Sequence, residues 1–121
     1  MPAFGRISRE NLAEAHPELQ RLFNEVIKTT DCMVICGHRG QAAQDSCFHS
    51  GVSKLPWPRS KHNTKPAKAV DVIPYPVNWM DIARFDGFAQ TVKEVAKTIG
   101  VEVVWGGDWP KFRDRPHWEV A

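Results

Sequence analysis

The chain has 121 residues, 42% of them hydrophobic and 25% charged, with a formal net charge of +2. That length bounds one domain, residues 1–121, large enough for a core and too small for a catalytic unit plus a separate binding module. No apolar run approaches the roughly 18 residues of a membrane span, the opening MPAFGRISRE has no apolar signal core, and no dense basic stripe supports nucleic-acid binding. The expectation is a cytoplasmic monomer with no membrane insertion.

Ser8 is placed to cap a short helix through Ala15, ended by the His16-Pro17 pair. A second helix is expected from about Pro17 to Lys28, where Leu19, Leu22, Phe23, Val26 and Ile27 recur at three- and four-residue intervals. Cys32–Cys36 reads as a strand, and about Ala42 to Ser50 as a helix stopped at Gly51. Ser53–Pro66, rich in proline and lysine, is a loop long enough to imply a function, and it carries His62. Ala69–Ile73 is a second strand halted by Pro74-Tyr75-Pro76, with Asp71 on the face opposite Val70 and Val72. A long helix follows over roughly Met80–Ile99, with Phe85, Phe88, Val92, Val95, Ala96 and Ile99 inward and Gly100 closing it. Val101–Trp105 is a third strand, Gly106-Gly107 a tight turn, and His117–Val120 a last short strand. Together these predict an α+β fold, a small mostly antiparallel sheet backed by helices, with the chemistry at one end of the sheet.

Two segments far apart in sequence carry that chemistry. Ser60-Lys61-His62 with Ala69-Val70-Asp71, and Asp114-Arg115-Pro116-His117-Trp118-Glu119, offer two imidazoles and a carboxylate to a metal. A further carboxylate stands three residues before the last imidazole. Alone, His62 reads as a surface histidine and His117 as a packed aromatic. Asp71 is harder to explain away, because a carboxylate facing a sheet layer is costly unless paired or metal-bound. The joint pattern SxH…AxD…DxPHWE predicts a zinc (Zn2+) site with His62, Asp71 and His117 as ligands. Catalytic zinc usually takes three N or O ligands and keeps a fourth position for water, whose pKa it lowers to about 7. Asp114 is the candidate general base; with an intrinsic pKa of about 4 it needs no upward shift to be ionised at neutral pH.

The residues around this set have plainer readings beside functional ones. Ser60 either hydrogen-bonds substrate, orients a ligand, or is a loop serine. Glu119, on the face of His117, supports that imidazole without ligating, and Asp108 is structural or supporting. Trp109 and Trp118 flank the site and could touch substrate. Arg59, Lys61, Lys65 and Lys68 make the His62 loop basic, either a solvated face or a rim for an anionic substrate. The three cysteines, an odd number, read as free thiols. On one strand, Cys32 and Cys36 would stand roughly 13 Å apart, too far to share a zinc with His38, so they read as core. His16 and His49 have no companions at ligand spacing.

The stretches SKHNTKPAKAVDVIPY and WGGDWPKFRDRPHWE resemble the small zinc peptidases of the D-alanyl-D-alanine carboxypeptidase and VanX/VanY type, and most of all the L-alanyl-D-glutamate endopeptidases that phages use as endolysins. Gly37-His38-Arg39 with Gln44, and the opening SRENLAEAHPELQRLFNEV, fit the same group. The resemblance implies a peptidoglycan stem peptide as substrate, hydrolysis of its L-alanyl-D-glutamate bond, and release to the wall only at host lysis. It also implies that Arg39 assists at the oxyanion or at a substrate carboxylate; from the residues alone Arg39 is equally a surface arginine at a strand end. One departure is visible: NTKPAK fills a His-to-Asp interval that is shorter in many relatives, and an extra loop there is expected to reshape the rim. The rival activities are a D-Ala-D-Ala dipeptidase or carboxypeptidase and, further off, a binding module with structural zinc.

Overall fold

The computed structural model describes residues 2–121. Four helices, α1 (Arg6–Ala13), α2 (Pro17–Val26), α3 (Gln41–His49) and α4 (Ile82–Ile99), accompany four strands, β1 (Cys32–Cys36), β2 (Ala69–Pro74), β3 (Val103–Trp105) and β4 (His117–Val120). The strands form one sheet in the order β1-β2-β4-β3, and every neighbouring pair is antiparallel. The expected α+β architecture is the one observed.

Period-two alternation decides which side of the sheet does what. Cys32 and Val34 of β1, Val70 and Val72 of β2, and Trp118 of β4 face the helices and join one core with Leu19, Leu22, Phe23 and Val26 of α2 and Phe88, Ala89, Val92 and Ala96 of α4. Asp71 and His117, cross-strand partners, therefore lie on the opposite face. The apolar stripes of α2 and α4 read from the sequence supply this core, and Gly100 ends α4 in the left-handed region at φ 75°, where a side chain would be strained.

The first helix is the clearest correction. Ser8 does not cap it: the helix begins at Arg6, behind Gly5, and ends at Ala13. Ser8 sits inside, and its Oγ accepts the Val34 N–H at 3.1 Å, while Asn11 Nδ2 donates to the Val34 carbonyl at 2.8 Å. β1 is an edge strand, and these two side chains, three residues apart on one helix face, satisfy groups that would otherwise be left open there. Smaller shifts occur elsewhere. α2 stops at Val26 and is capped by His16, whose Nδ1 accepts the Glu18 N–H. β3 starts only at Val103, and Gly106–Asp108 is a 3₁₀ turn.

Cys32 is a core cysteine, and burial, helped by the charge of Asp31, pushes its thiol up to about 12. The folded state thus holds a proton that an unfolded thiol, at 9.0, gives up earlier. The stabilisation is complete below about 9, and thermal stability is expected to fall as pH rises from there towards about 12. Near neutral pH a thiol reagent should label the half-buried Cys47 and spare Cys32 until the chain unfolds. Labelling of both at equal rates in folded protein would contradict this.

Candidate metal and catalytic site

His62 stands on a 3₁₀ turn, Lys61–Asn63, inside the long loop between α3 and β2. Ser60 caps that turn: its Oγ accepts the His62 N–H at 3.2 Å, and Asn63 Oδ1 accepts the Ser60 N–H at 3.0 Å. A capping box of this kind satisfies the free N–H groups of a turn that is buried. Asp71 comes from the middle of β2 and His117 from the first position of β4, opposite it. Asp114 reaches the site because its N–H donates to the Gly106 carbonyl and its own carbonyl accepts the His117 N–H, a closed turn before β4.

The two imidazoles approach Asp71 with different nitrogens. His62 Nδ1 lies 2.8 Å from the Gly37 carbonyl, an acceptor, so Nδ1 carries the proton and Nε2 turns its lone pair inward. His117 Nε2 lies 2.8 Å from Glu119 Oε1, so there Nδ1 faces inward. His62 Nε2 is 3.3 Å and His117 Nδ1 3.5 Å from the same atom, Asp71 Oδ1, and Asp114 Oδ2 is 3.9 Å from His117 Nδ1. Both His62 Nε2 and Asp71 Oδ1 are buried and have no hydrogen-bond partner outside this cluster. Buried polar atoms rarely go unpartnered, and two of them converging with a third lone pair suit a divalent cation. Supporting carboxylates and carbonyls of the kind seen behind both imidazoles are usual around metal-binding histidines.

Charge in the site follows from that crowding. Burial works against the imidazoliums of His62 and His117, but Asp71 outweighs it in both, aided by Cys36 at His62 and by Glu119 at His117, and both pKa values rise. Burial would raise Asp71, yet the two histidines hold it well below the usual carboxylate range. A metal entering the site must displace protons. At Asp114 burial, then the neighbouring Asp71 carboxylate, lifts the pKa above the ordinary value.

Arg39 is nearly enclosed. Its Nη1 donates to Gln44 Oε1 at 3.0 Å, and its Nη2 lies 3.5 Å from Asp71 Oδ2. It thereby holds the carboxylate oxygen turned away from the histidines. Gln44, named in the sequence only beside Gly37-His38-Arg39 and given no role there, is wholly buried and acts as a hub: Oε1 also accepts from Asn63 Nδ2, and Nε2 donates to Ser53 Oγ and the Leu55 carbonyl.

Cys36 is also corrected. A bulge in β1 places Cys36, not Ile35, opposite Asp71, and its Sγ lies 3.8 Å from His62 Nδ1. It belongs to the site's wall and not to the core, because bulges re-aim a side chain. Trp118 is corrected the other way: with no exposed surface, and stacked on Trp105, it lies on the core face and cannot meet substrate. Trp109 does line the site, 4.9 Å from the His117 ring between centroids. Asp108 pairs with Lys93 and stands apart.

Arg39, Ser60, His62, Asp71, Asp114 and His117 open into a cleft of about 360 Å³ walled by Ile35, Val52, Leu55, Trp79, Trp109 and Phe112. Neither the NTKPAK segment nor Arg59, Lys61, Lys65 and Lys68 line it. Ala67 is fastened to the α1–α2 corner by backbone bonds with Glu14 and His16, so this segment packs against the helices and not at the cleft. Lys61 is turned to Glu119, 2.6 Å away, tying the His62 turn to the His117 strand.

The model of the phage L-alanyl-D-glutamate peptidase family matches residues 2–119. The chain belongs to that family. It is similar to the L-alanyl-D-glutamate peptidase of Escherichia phage T5, 30% identical over 112 residues that cover 88% of this chain and 80% of that protein. A shorter match, 59% identical over 29 residues, is to the peptidoglycan L-alanyl-D-glutamate endopeptidase CwlK of Bacillus subtilis, covering 24% of this chain and 16% of CwlK. Among solved structures, the Serratia marcescens L-Ala D-Glu endopeptidase ChiX superposes with a TM-score of 0.83 at 29% identity, over 99% of this chain and 91% of that one. The relatives named here are peptidases, and the fold is shared with ChiX.

Proposed function

We propose that the protein is a zinc-dependent peptidoglycan peptidase that hydrolyses the L-alanyl-D-glutamate bond of the stem peptide. The observation that carries the reading is the meeting of two buried atoms, His62 Nε2 and Asp71 Oδ1, that have no partner outside the site, with His117 Nδ1 and beside the Asp114 carboxylate. Family membership supplies the substrate and the bond.

Zinc would be held by His62, Asp71 and His117, and when bound would supply a Lewis acid for the scissile carbonyl and the attacking water. The remaining work belongs to the chain. Asp114 takes the proton of the attacking water and delivers it to the amine of the departing D-glutamyl residue. Arg39 lines the cleft and stands to share the charge of the tetrahedral oxyanion while fixing Asp71. Glu119 and Gly37 keep the histidines in the tautomers described above. No described helix is long and apolar enough to cross a membrane. The reading is of a monomeric, single catalytic domain held inside the cell until lysis exposes the wall.

Mass spectrometry of fragments released from purified Gram-negative peptidoglycan tests this, with and without a zinc chelator. Stems beginning at D-glutamate, lost on chelation and restored by zinc, are expected. Release of terminal D-alanine alone would make the protein a carboxypeptidase instead.

A further inference from the structure

The cleft holds four cations, Arg39, Lys54, Arg113 and Arg115, against two acids, Asp71 and Asp114. Both acids face the histidines. Two of the cations are already engaged: Arg39 by Asp71 and Gln44, and Arg115 by Asp86 at 3.2 Å. Lys54 and Arg113 are exposed, and among the described residues neither has a carboxylate partner. Lys54 instead sits over the Phe112 ring, 5.1 Å from its centroid, so the loop after α3 reaches across to the loop before β4. Arg113 adjoins Asp114 on that second loop. The two cations thus share the mouth of the cleft with the proposed general base.

Resting on the peptidase reading, the chemistry of the bond supplies a counterpart. A glutamyl residue whose amine is acylated by alanine has two carboxyl groups, and only one can carry the chain onward. The other is free, a few bonds from the scissile nitrogen. We propose that Lys54 and Arg113 bind this free carboxylate, so that the enzyme selects stems with an acidic glutamyl residue over those in which that carboxyl is amidated. Lys54, drawn from Phe112 to the anion, and Arg113 place the charge on the leaving side of the bond.

The test uses two synthetic stem peptides that differ only in acid or amide at that carboxyl. Their Kd values are measured by calorimetry on zinc-loaded Asp114→Asn protein, which turns over slowly enough for binding to be read, and their kcat/KM values on the wild type. Two solvent-exposed ion contacts predict about five- to tenfold tighter binding of the acid, a preference that shrinks in high salt. In Lys54→Met/Arg113→Gln the preference should collapse, and in Lys54→Arg and Arg113→Lys it should persist. Equal affinity of the two peptides, or a preference that survives in the double variant, overturns the inference even where the bond is cut. Tighter binding of the acid without cleavage by the wild type supports the carboxylate site and refutes the peptidase reading.

Discussion

Asp114→Asn is expected to give a folded, metal-loaded protein whose kcat/KM on stem peptides is lower by about 10²–10⁴-fold, the usual contribution of a positioned general base. Asparagine keeps the size of the side chain and removes its basicity. The bonds that shape the turn use the backbone of Asp114, from its N–H to Gly106 and from its carbonyl to His117, and so survive the change. The side chain belongs to no part of the hydrophobic core. Metal content separates this from another role, since Asp71, Asp114 and His117 also lie close enough to share an ion. If zinc stoichiometry falls together with activity, Asp114 is a ligand and the assignment of the base is wrong.

Gly106→Ala should damage the same site from behind. A Cβ at Gly106 would run into the Asp114 carbonyl and stand 2.9 Å from His117 Cβ and 3.1 Å from Asp114 Cβ. Neither neighbour can yield cheaply, because one is backbone and the other begins the central strand β4. Overpacking of this kind costs about 1–3 kcal/mol, which for a domain of this size is a fall in Tm of about 5–10 °C. Activity should drop more than stability explains, because relief of the clash moves Asp114 and His117 apart from Asp71. Full activity at a temperature where the variant is folded would show that the turn has slack. By contrast, Gly40, with nothing near its missing Cβ, should accept alanine.

The elements with long periodic stripes were legible from the sequence, and so was the ligand set as an expectation, because Asp71 between two valines violates the burial rule and needs a reason. α2 and α4 followed from spacing, and the antiparallel sheet from the number and order of the elements. Four things did not. Ser8 looks like a cap in isolation, and only the neighbouring edge strand turns it into an acceptor for Val34. The bulge that swings Cys36 to His62 has no local signature in CMVIC, since it depends on the register with β2. Trp118 is adjacent to His117 in sequence and on the opposite side of the sheet in space, a consequence of strand alternation that motif reading ignored. The upward shift at Asp114 comes from burial and then from the Asp71 carboxylate, both of them tertiary facts.

The anchoring of the loop after α3 has a consequence for how this scaffold can change. Gln44 grips that loop by the Leu55 carbonyl and the Ser53 hydroxyl. The side chains of Val52, Lys54 and Leu55, by contrast, project into the cleft, and none belongs to the core. What fastens the loop and what greets an incoming molecule are thus different atoms. Randomising positions 52, 54 and 55 while keeping Ser53 should yield a library in which most members fold, so that new cleavage preferences can be selected on a frame that stays intact.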